Sequence, residues 1–212
     1  MTQAALLAAG VAEMGLDVPL EAQQKLLQYL SLLSKWNKVY NLTAVRDPLE
    51  MVTLHLLDSL SVLPHIQTRN LLDVGSGGGL PGIVLAICLP QLKITTIDTV
   101  QKKTIFMRQV KGELGLNNLD VVHARVENYQ PGKKFEAIIS RAFSDIALFV
   151  KLTEHLLAQN GKWLAMKGQV PHEELTSLAI KVNHAIKIKN IVPLNVAGLD
   201  AERHLLVIEK LD

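Results

Sequence analysis

Leu71-Leu72-Asp73-Val74-Gly75-Ser76-Gly77-Gly78-Gly79-Leu80-Pro81-Gly82 is the stretch that decides the architecture of this chain. Residues 70–74 are a short apolar run bounded by polar residues and glycine, which predicts a buried strand. Gly75, Gly77, Gly78 and Gly79 let the backbone turn tightly and let a ligand approach without Cβ interference. Pro81 sits where a helix begins and where its missing N–H costs nothing. Ile83, Val84, Ala86 and Ile87 carry that helix on with apolar faces. Asp73 lies two residues before the first glycine, at the carboxyl end of the strand, where ligands bind in open α/β sheets.

Outward from this junction the chain alternates. Strands are expected at 70–74, 93–98, 119–123, 136–140, 162–167, 185–192 and 204–210. Helices are expected near 81–89, 100–115, 145–158 and from Pro171 to Asn183. Strand–helix alternation implies a Rossmann-like, doubly wound α/β fold with a mostly parallel seven-stranded sheet. The last two strands have no helix between them, so one antiparallel edge strand is expected. Before residue 70 no strand pattern is convincing. Leu26, Leu30, Leu33, Trp36 and Tyr40 make one helical stripe. Met51, Leu54 and Leu57 mark another helix, opened by Asp47-Pro48. The expected organisation is an N-terminal helical segment, 1–65, packed on a ligand-binding domain, 66–212, whose RNA-facing rim it would help to shape.

At 212 residues and 49% hydrophobic, the chain can build a sizeable core. The formal net charge of +2 demands no polyelectrolyte partner, but the charge is uneven. Residues 1–65 hold four Lys/Arg against six Asp/Glu, and residues 66–212 hold eighteen against fourteen. That is compatible with a nucleic-acid partner. A single cysteine, Cys88, excludes an intrachain disulfide, and no Cys/His cluster has zinc spacing, so no metal is expected. Cys88 falls on the apolar helix after the glycines and reads as core filler. No residue before Lys25 is basic, and no apolar run approaches a membrane span. A soluble, cytoplasmic protein is expected.

The ligand follows from the glycine spacing. The dinucleotide fingerprint G-x-G-x-x-G fails at Leu80. An acidic residue followed by G-x-G-x-G is instead the common pattern of S-adenosylmethionine-dependent methyltransferases. A pyrophosphate wants helix N–H groups with no carboxylate nearby. An ammonium and a sulfonium favour Asp73 beside the loop. Asp98 ends the second strand nineteen residues after Gly79, which suits a carboxylate on ribose hydroxyls or a cap for the next helix. Val126 and Glu127, after the third strand, fall beside the adenine position of such a fold. Ser140-Arg141-Ala142-Phe143 ends the fourth strand. It lacks the Asp/Asn-Pro-Pro-aromatic tetrad used on exocyclic amines, and Cys88 is on the wrong element for pyrimidine C5 chemistry. Arg141 offers a planar fork for a phosphate, a carboxylate or a guanine edge. Phe143 could stack on a base or pack in the core. Lys102, Lys103, Arg108, Arg125, Lys167, Arg203 and His204 are further basic candidates. His55 and Asp58, at i and i+3, read as a structural pair.

On these residues the chain closely resembles the RsmG, or glucose-inhibited division protein B, family of bacterial small-subunit (16S) ribosomal RNA guanine-N7 methyltransferases. The likeness rests on 41–47 (Asn-Leu-Thr-Ala-Val-Arg-Asp), 55–59 (His-Leu-Leu-Asp-Ser), Leu80-Pro81-Gly82, Ser140-Arg141-Ala142-Phe143, Lys167-Gly168 and Glu202-Arg203-His204-Leu205. The resemblance implies S-adenosylmethionine held by Gly75, Gly77, Gly79, Leu80, Val126, Glu127 and Arg141, with Asp73 and Asp98 in support. It implies RNA contacts from Arg125, Lys167, Arg203 and His204, with Arg141 and Lys167 positioning the guanine. It also implies a small-subunit RNA or 30S partner, a monomer, and direct in-line methyl transfer with no general base. Alternatives from the residues alone are a nicotinamide-dependent oxidoreductase and a non-catalytic RNA-binding module of ribosome assembly.

Overall fold

The computed structural model describes residues 1–181 and 186–211. Among these, seven strands form one sheet: β1 (Asn70–Val74), β2 (Lys93–Asp98), β3 (Leu119–His123), β4 (Phe135–Ser140), β5 (Leu157–Lys167), β6 (Ile186–Pro193) and β7 (His204–Lys210). Their order is β3-β2-β1-β4-β5-β7-β6. Pairings from β3 through β5 are parallel, and β7 runs antiparallel to both β5 and β6. The antiparallel edge expected from the sequence is present, with the reversed strand β7 lying between β5 and the edge strand β6. The order reverses at β1, whose two neighbours are β2 and β4, and this switch point opens a crevice at the carboxyl ends of the strands.

Alternate strand residues face opposite sides. Leu71, Ile139, Leu164 and Leu205 bury on one side against α1 (Gln3–Glu13), α2 (Leu20–Tyr40), α5 (Gly82–Cys88) and α6 (Gln101–Leu114). Leu72, Ile138, Trp163 and Leu206 bury on the other, with α7 (Ile146–Thr153) and Leu175 of α8 (His172–Lys181). The first face explains the stripe on α2. Leu26, Tyr29, Leu30 and Leu33 are completely buried, and the Trp36 ring packs at a tilt against Phe106 of α6, 5.6 Å between centroids. The stripe thus joins the main core as far as Trp36, and its last member, Tyr40, is exposed.

Asp47 opens the next helix as expected, its Oδ1 accepting from the Leu49 and Glu50 N–H groups at 2.8 and 2.9 Å. That helix is not uniform. α3 (Pro48–Met51) runs into a π-helical stretch (Val52–Leu57) and then α4 (Asp58–Leu60). The helix expected over 145–158 also differs. It ends at Thr153, and β5 begins at Leu157 rather than at 162. Leu148, Leu152 and Leu156 keep helical spacing, which hides the exit. Leu157 pairs with Phe135, and a register shift then carries the chain past 158–161 to pair Lys162 with Ala137. The helix from Pro171 is present from His172 to Lys181, and residues 182–185 lie outside the described residues. Among the described residues no helix is long and apolar enough to cross a membrane.

The Tyr29 hydroxyl donates to the Gly78 carbonyl at 2.8 Å, linking α2 to the glycine turn. Replacing Tyr29 by Phe should cost about 1 kcal/mol and lower the melting temperature by about 2–4 °C. Calorimetry showing identical melting temperatures would contradict a stabilising role for this bond.

Candidate active site

The turn after β1 is shaped by backbone geometry that side chains disfavour. Gly75, Gly77 and Gly79 have φ of +69°, +59° and +96°. A Cβ on Gly75 would lie 2.7 Å from the Ala142 methyl, and one on Gly79 would overlap the Ile83 side chain. Gly75 and Gly77 line the cavity above the turn. Gly79 instead lets α5 pack close beneath it.

Two carboxylates hold this turn. Asp98 Oδ2 accepts from the Gly77 N–H at 2.9 Å, and its Oδ1 accepts from the Val100 N–H at 2.8 Å. It therefore fixes the loop between β2 and α6 while also lining the crevice, but it is not the helix cap that one sequence reading allows, since α6 starts from Val100 with no side-chain cap. Asp73 is completely buried beneath the turn. Its Oδ2 accepts from the Gly82 N–H at 2.9 Å, and its Oδ1 has no partner. Burial outweighs its hydrogen bonds and pushes the Asp73 carboxyl up to about 6.

The crevice is a chain of three cavities. One of about 220 Å³ lies at the ends of β1 to β3, lined by Asp98, Val126, Glu127 and Phe143. A second, about 180 Å³, covers the glycine turn and shares Gly75 with the first. A third, about 400 Å³, lies toward β5 and β7 and includes Leu54, Asp58, Lys167 and Arg203. His55 and Arg141 line both the second and the third. Arg141 is aimed by its neighbours in the tetrad. Ser140 Oγ donates to the Val74 carbonyl at 2.7 Å and accepts from the Ala142 N–H at 3.0 Å. This bends the chain as it leaves β4.

The family model described as rRNA small subunit methyltransferase G matches residues 22–206. The chain belongs to that family. A relative named Ribosomal RNA small subunit methyltransferase G from Methylobacillus flagellatus is 64% identical over 93% of each chain. One of the same name from Aromatoleum aromaticum is 51% identical over 98% of this chain and 99% of its own. Among solved structures, an S-adenosylmethionine-dependent methyltransferase from Aquifex aeolicus has a TM-score of 0.57 at 18% identity. That match covers 83% of this chain and 97% of the other. The glycopeptide N-methyltransferase MtfA, solved with S-adenosylmethionine, has a TM-score of 0.60 at 10% identity, covering 73% of this chain and 86% of its own. As a methyltransferase G family member, the chain is an S-adenosylmethionine-dependent methyltransferase. The oxidoreductase and non-catalytic alternatives fall away.

The residues fit that cofactor. The turn leaves room that a Cβ would fill, and Asp73 holds an unpartnered carboxylate oxygen beneath it. Gly75, Gly77, Leu80, Asp98, Val126, Glu127 and Arg141 all line the first two cavities. The basic candidates divide. Lys167 Nζ turns inward to the Phe143 and Ser144 carbonyls, at 3.0 and 2.6 Å, and lies 3.6 Å from Glu174. His204 Nδ1 donates to the Gly168 carbonyl at 2.7 Å. Arg125 is exposed and pairs with Glu127 at 3.3 Å. Lys102 reaches the Tyr40 carbonyl. Phe143 stacks at 5.1 Å on Phe149. Burial pushes the Cys88 thiol up to about 12, which suits a filler.

The expected His55–Asp58 pair is corrected. Asp58 bonds Arg141 and Arg203 instead, at 2.7 and 2.8 Å. His55 Nε2 faces Thr43 Oγ1 at 3.0 Å. Burial, and then the Arg141 guanidinium, pull the His55 imidazole below its ordinary value, so it is neutral at pH 7. Thr43 and Tyr29 also went unread as site residues. Thr43 lay inside a motif of the resemblance, so that signal was available. Tyr29 was not among the residues of the α2 stripe, and nothing local to it signals its bond to Gly78, 49 residues away.

Asp73 generates a pH-dependent prediction. Its folded value lies above the unfolded one, so its contribution to stability is full below pH 4 and is lost as pH rises through about 6. Asp73→Asn removes this dependence. It should gain up to about 3 kcal/mol relative to wild type between pH 4 and pH 7.5, read by denaturant titration. It should also bind S-adenosylmethionine more weakly by calorimetry. A stability difference that is constant with pH would contradict the assignment.

Proposed function

We propose that this ribosomal RNA methyltransferase family member modifies N7 of a guanine in small-subunit (16S) RNA, acting in the cytoplasm as a monomer on the RNA or the 30S particle. The supporting observation is the 400 Å³ cavity beside the glycine turn. Among the described residues its one lining carboxylate, Asp58, is taken by two arginines. The Nε2 of His55 is spent on Thr43 and its Nδ1 is enclosed in protein. No side chain there stands ready to remove a proton. Guanine N7 carries an in-plane lone pair and no proton at neutral pH, so it needs none. Exocyclic amines and ring N–H groups must lose a proton on methylation.

When bound, S-adenosylmethionine supplies a sulfonium methyl, and we take the transfer to be a direct in-line displacement by N7. In this reading Asp98 accepts from ribose hydroxyls with the lone pairs left after Gly77 and Val100. Val126 and Glu127 flank the adenine, and Asp73 offsets the cofactor's positive charge from below. Arg141 stands between cofactor and base, and Lys167 fixes the wall of the base cavity. Arg125, Arg203 and His204 face the RNA. Residues 1–65 form the segment that buttresses the glycine turn and carries Asp58, and residues 66–212 form the cofactor-binding domain. Alignment of reacting atoms can supply about 7–11 kcal/mol of the barrier. A-form RNA hides N7 in a groove too deep and narrow for side chains, so the guanine must be unpaired or everted. A cavity of this size accepts such a base.

Small-subunit RNA incubated with methyl-labelled cofactor should yield labelled 7-methylguanosine after digestion. Label in another nucleoside would refute the proposal. The single-turnover rate should stay flat from neutral to mildly alkaline pH, and a rising limb would reveal a general base.

A further inference from the structure

Asp58 joins three parts of the chain that meet only on folding. Its Oδ2 accepts from Arg141 Nη1 at 2.7 Å, and its Oδ1 accepts from Arg203 Nε at 2.8 Å. The carboxylate is 5% exposed, and the guanidinium side chains are about a quarter exposed. Each arginine has a second fixed acceptor. Arg141 Nη1 also donates to the Leu54 carbonyl of the π-helical stretch at 3.2 Å, and Arg203 Nη1 donates to the Glu202 carbonyl at 2.8 Å. All three side chains line the 400 Å³ cavity, and Arg141 also lines the cavity over the glycine turn.

A free guanidinium is a poor neighbour for a guanine about to react at N7. The commonest arginine contact with guanine is a bidentate fork onto O6 and N7. An N–H donated to N7 occupies the lone pair that must attack. The methylated base is then cationic, and two uncompensated guanidiniums would oppose its formation. One carboxylate bridging both arginines answers both problems. It commits an N–H of each fork to a fixed acceptor, and it balances one of the two positive charges.

We propose that Asp58 is a positioning residue for methyl transfer, its bridge to Arg141 and Arg203 keeping both guanidiniums off guanine N7 while their remaining N–H groups are left for O6 or phosphate. The proposal rests on the guanine-N7 reading. It separates Asp58 from a purely structural ion pair, because loss of the bridge frees the forks to bind guanine in an unreactive manner.

The test is steady-state kinetics of Asp58→Asn on small-subunit RNA at saturating cofactor. The expected result is a kcat about tenfold lower with KM for RNA unchanged or reduced. A kcat within about twofold of wild type, or a KM that rises while kcat holds, overturns the proposal. Should Asp58→Asn fail to fold, Arg203→Met and Asp58→Asn/Arg203→Met decide the matter, since the double variant removes one charge of each sign. The double variant should have a kcat about tenfold below Arg203→Met alone, and equal values overturn the proposal. Nucleoside analysis of the wild-type product runs in parallel. A wild-type product other than 7-methylguanosine defeats the N7 reading itself. 7-Methylguanosine together with unaltered variant kinetics defeats only the role of Asp58.

Discussion

Two carboxylates with almost no access to water hold the turn between β1 and α5 in shape. Asp73 takes the Gly82 N–H from below, and Asp98 takes the Gly77 N–H from the neighbouring strand. A carboxylate sequestered in this way is costly unless fixed donors meet it, and these turn amides are fixed donors. The glycines follow from the same constraint. In a turn pinned in this way a Cβ would collide with Ala142 at Gly75 and with Ile83 at Gly79, whereas at Gly77 it is the positive φ that favours glycine. What remains open is a backbone-lined floor ready for a ligand before any ligand arrives, the condition under which binding energy is not spent on ordering the site.

The same turn ties the early helices to the chemistry. Tyr29 bonds the Gly78 carbonyl, and a Cβ on Gly78 would lie 3.2 Å from Leu33. α2 therefore sets the height of the glycine turn. The π-helical stretch and α4 supply Leu54, His55 and Asp58 to the opposite wall. Widened helical turns recur at functional sites because they re-aim groups that a regular helix would place elsewhere. Here the Leu54 carbonyl meets Arg141. The glycine turn and the wall opposite it thus share one apolar core, and neither can shift without disturbing the other.

Most of the sheet was readable from the chain because its strands are apolar runs cut off by glycine or polar residues. β1, β2 and β3 have the expected limits. The place of Asp98 at the crevice was also readable, since the end of a strand beside the glycine turn lies at the carboxyl edge of the sheet. The misreadings came where local spacing and distant packing compete. Leu148, Leu152 and Leu156 continue a helical pattern that the chain leaves after Thr153. His55 and Asp58 have the spacing of a helical pair, yet Asp58 finds its partners 83 and 145 residues away. No local pattern encodes such a link. Lys167, which the resemblance gave as a contact for RNA and guanine, has its ammonium captured by carbonyls of the loop after β4.

The strand order has a consequence for how the enzyme comes into being. The glycine turn lies in the first half of the described chain, whereas Arg203 stands just ahead of β7, the last described strand in chain order. A polypeptide growing from its amino end therefore presents Asp58 and Arg141 well before Arg203. Until that residue arrives the bridge is a neutral pair, and the second guanidinium joins it only when β7 docks beside β5.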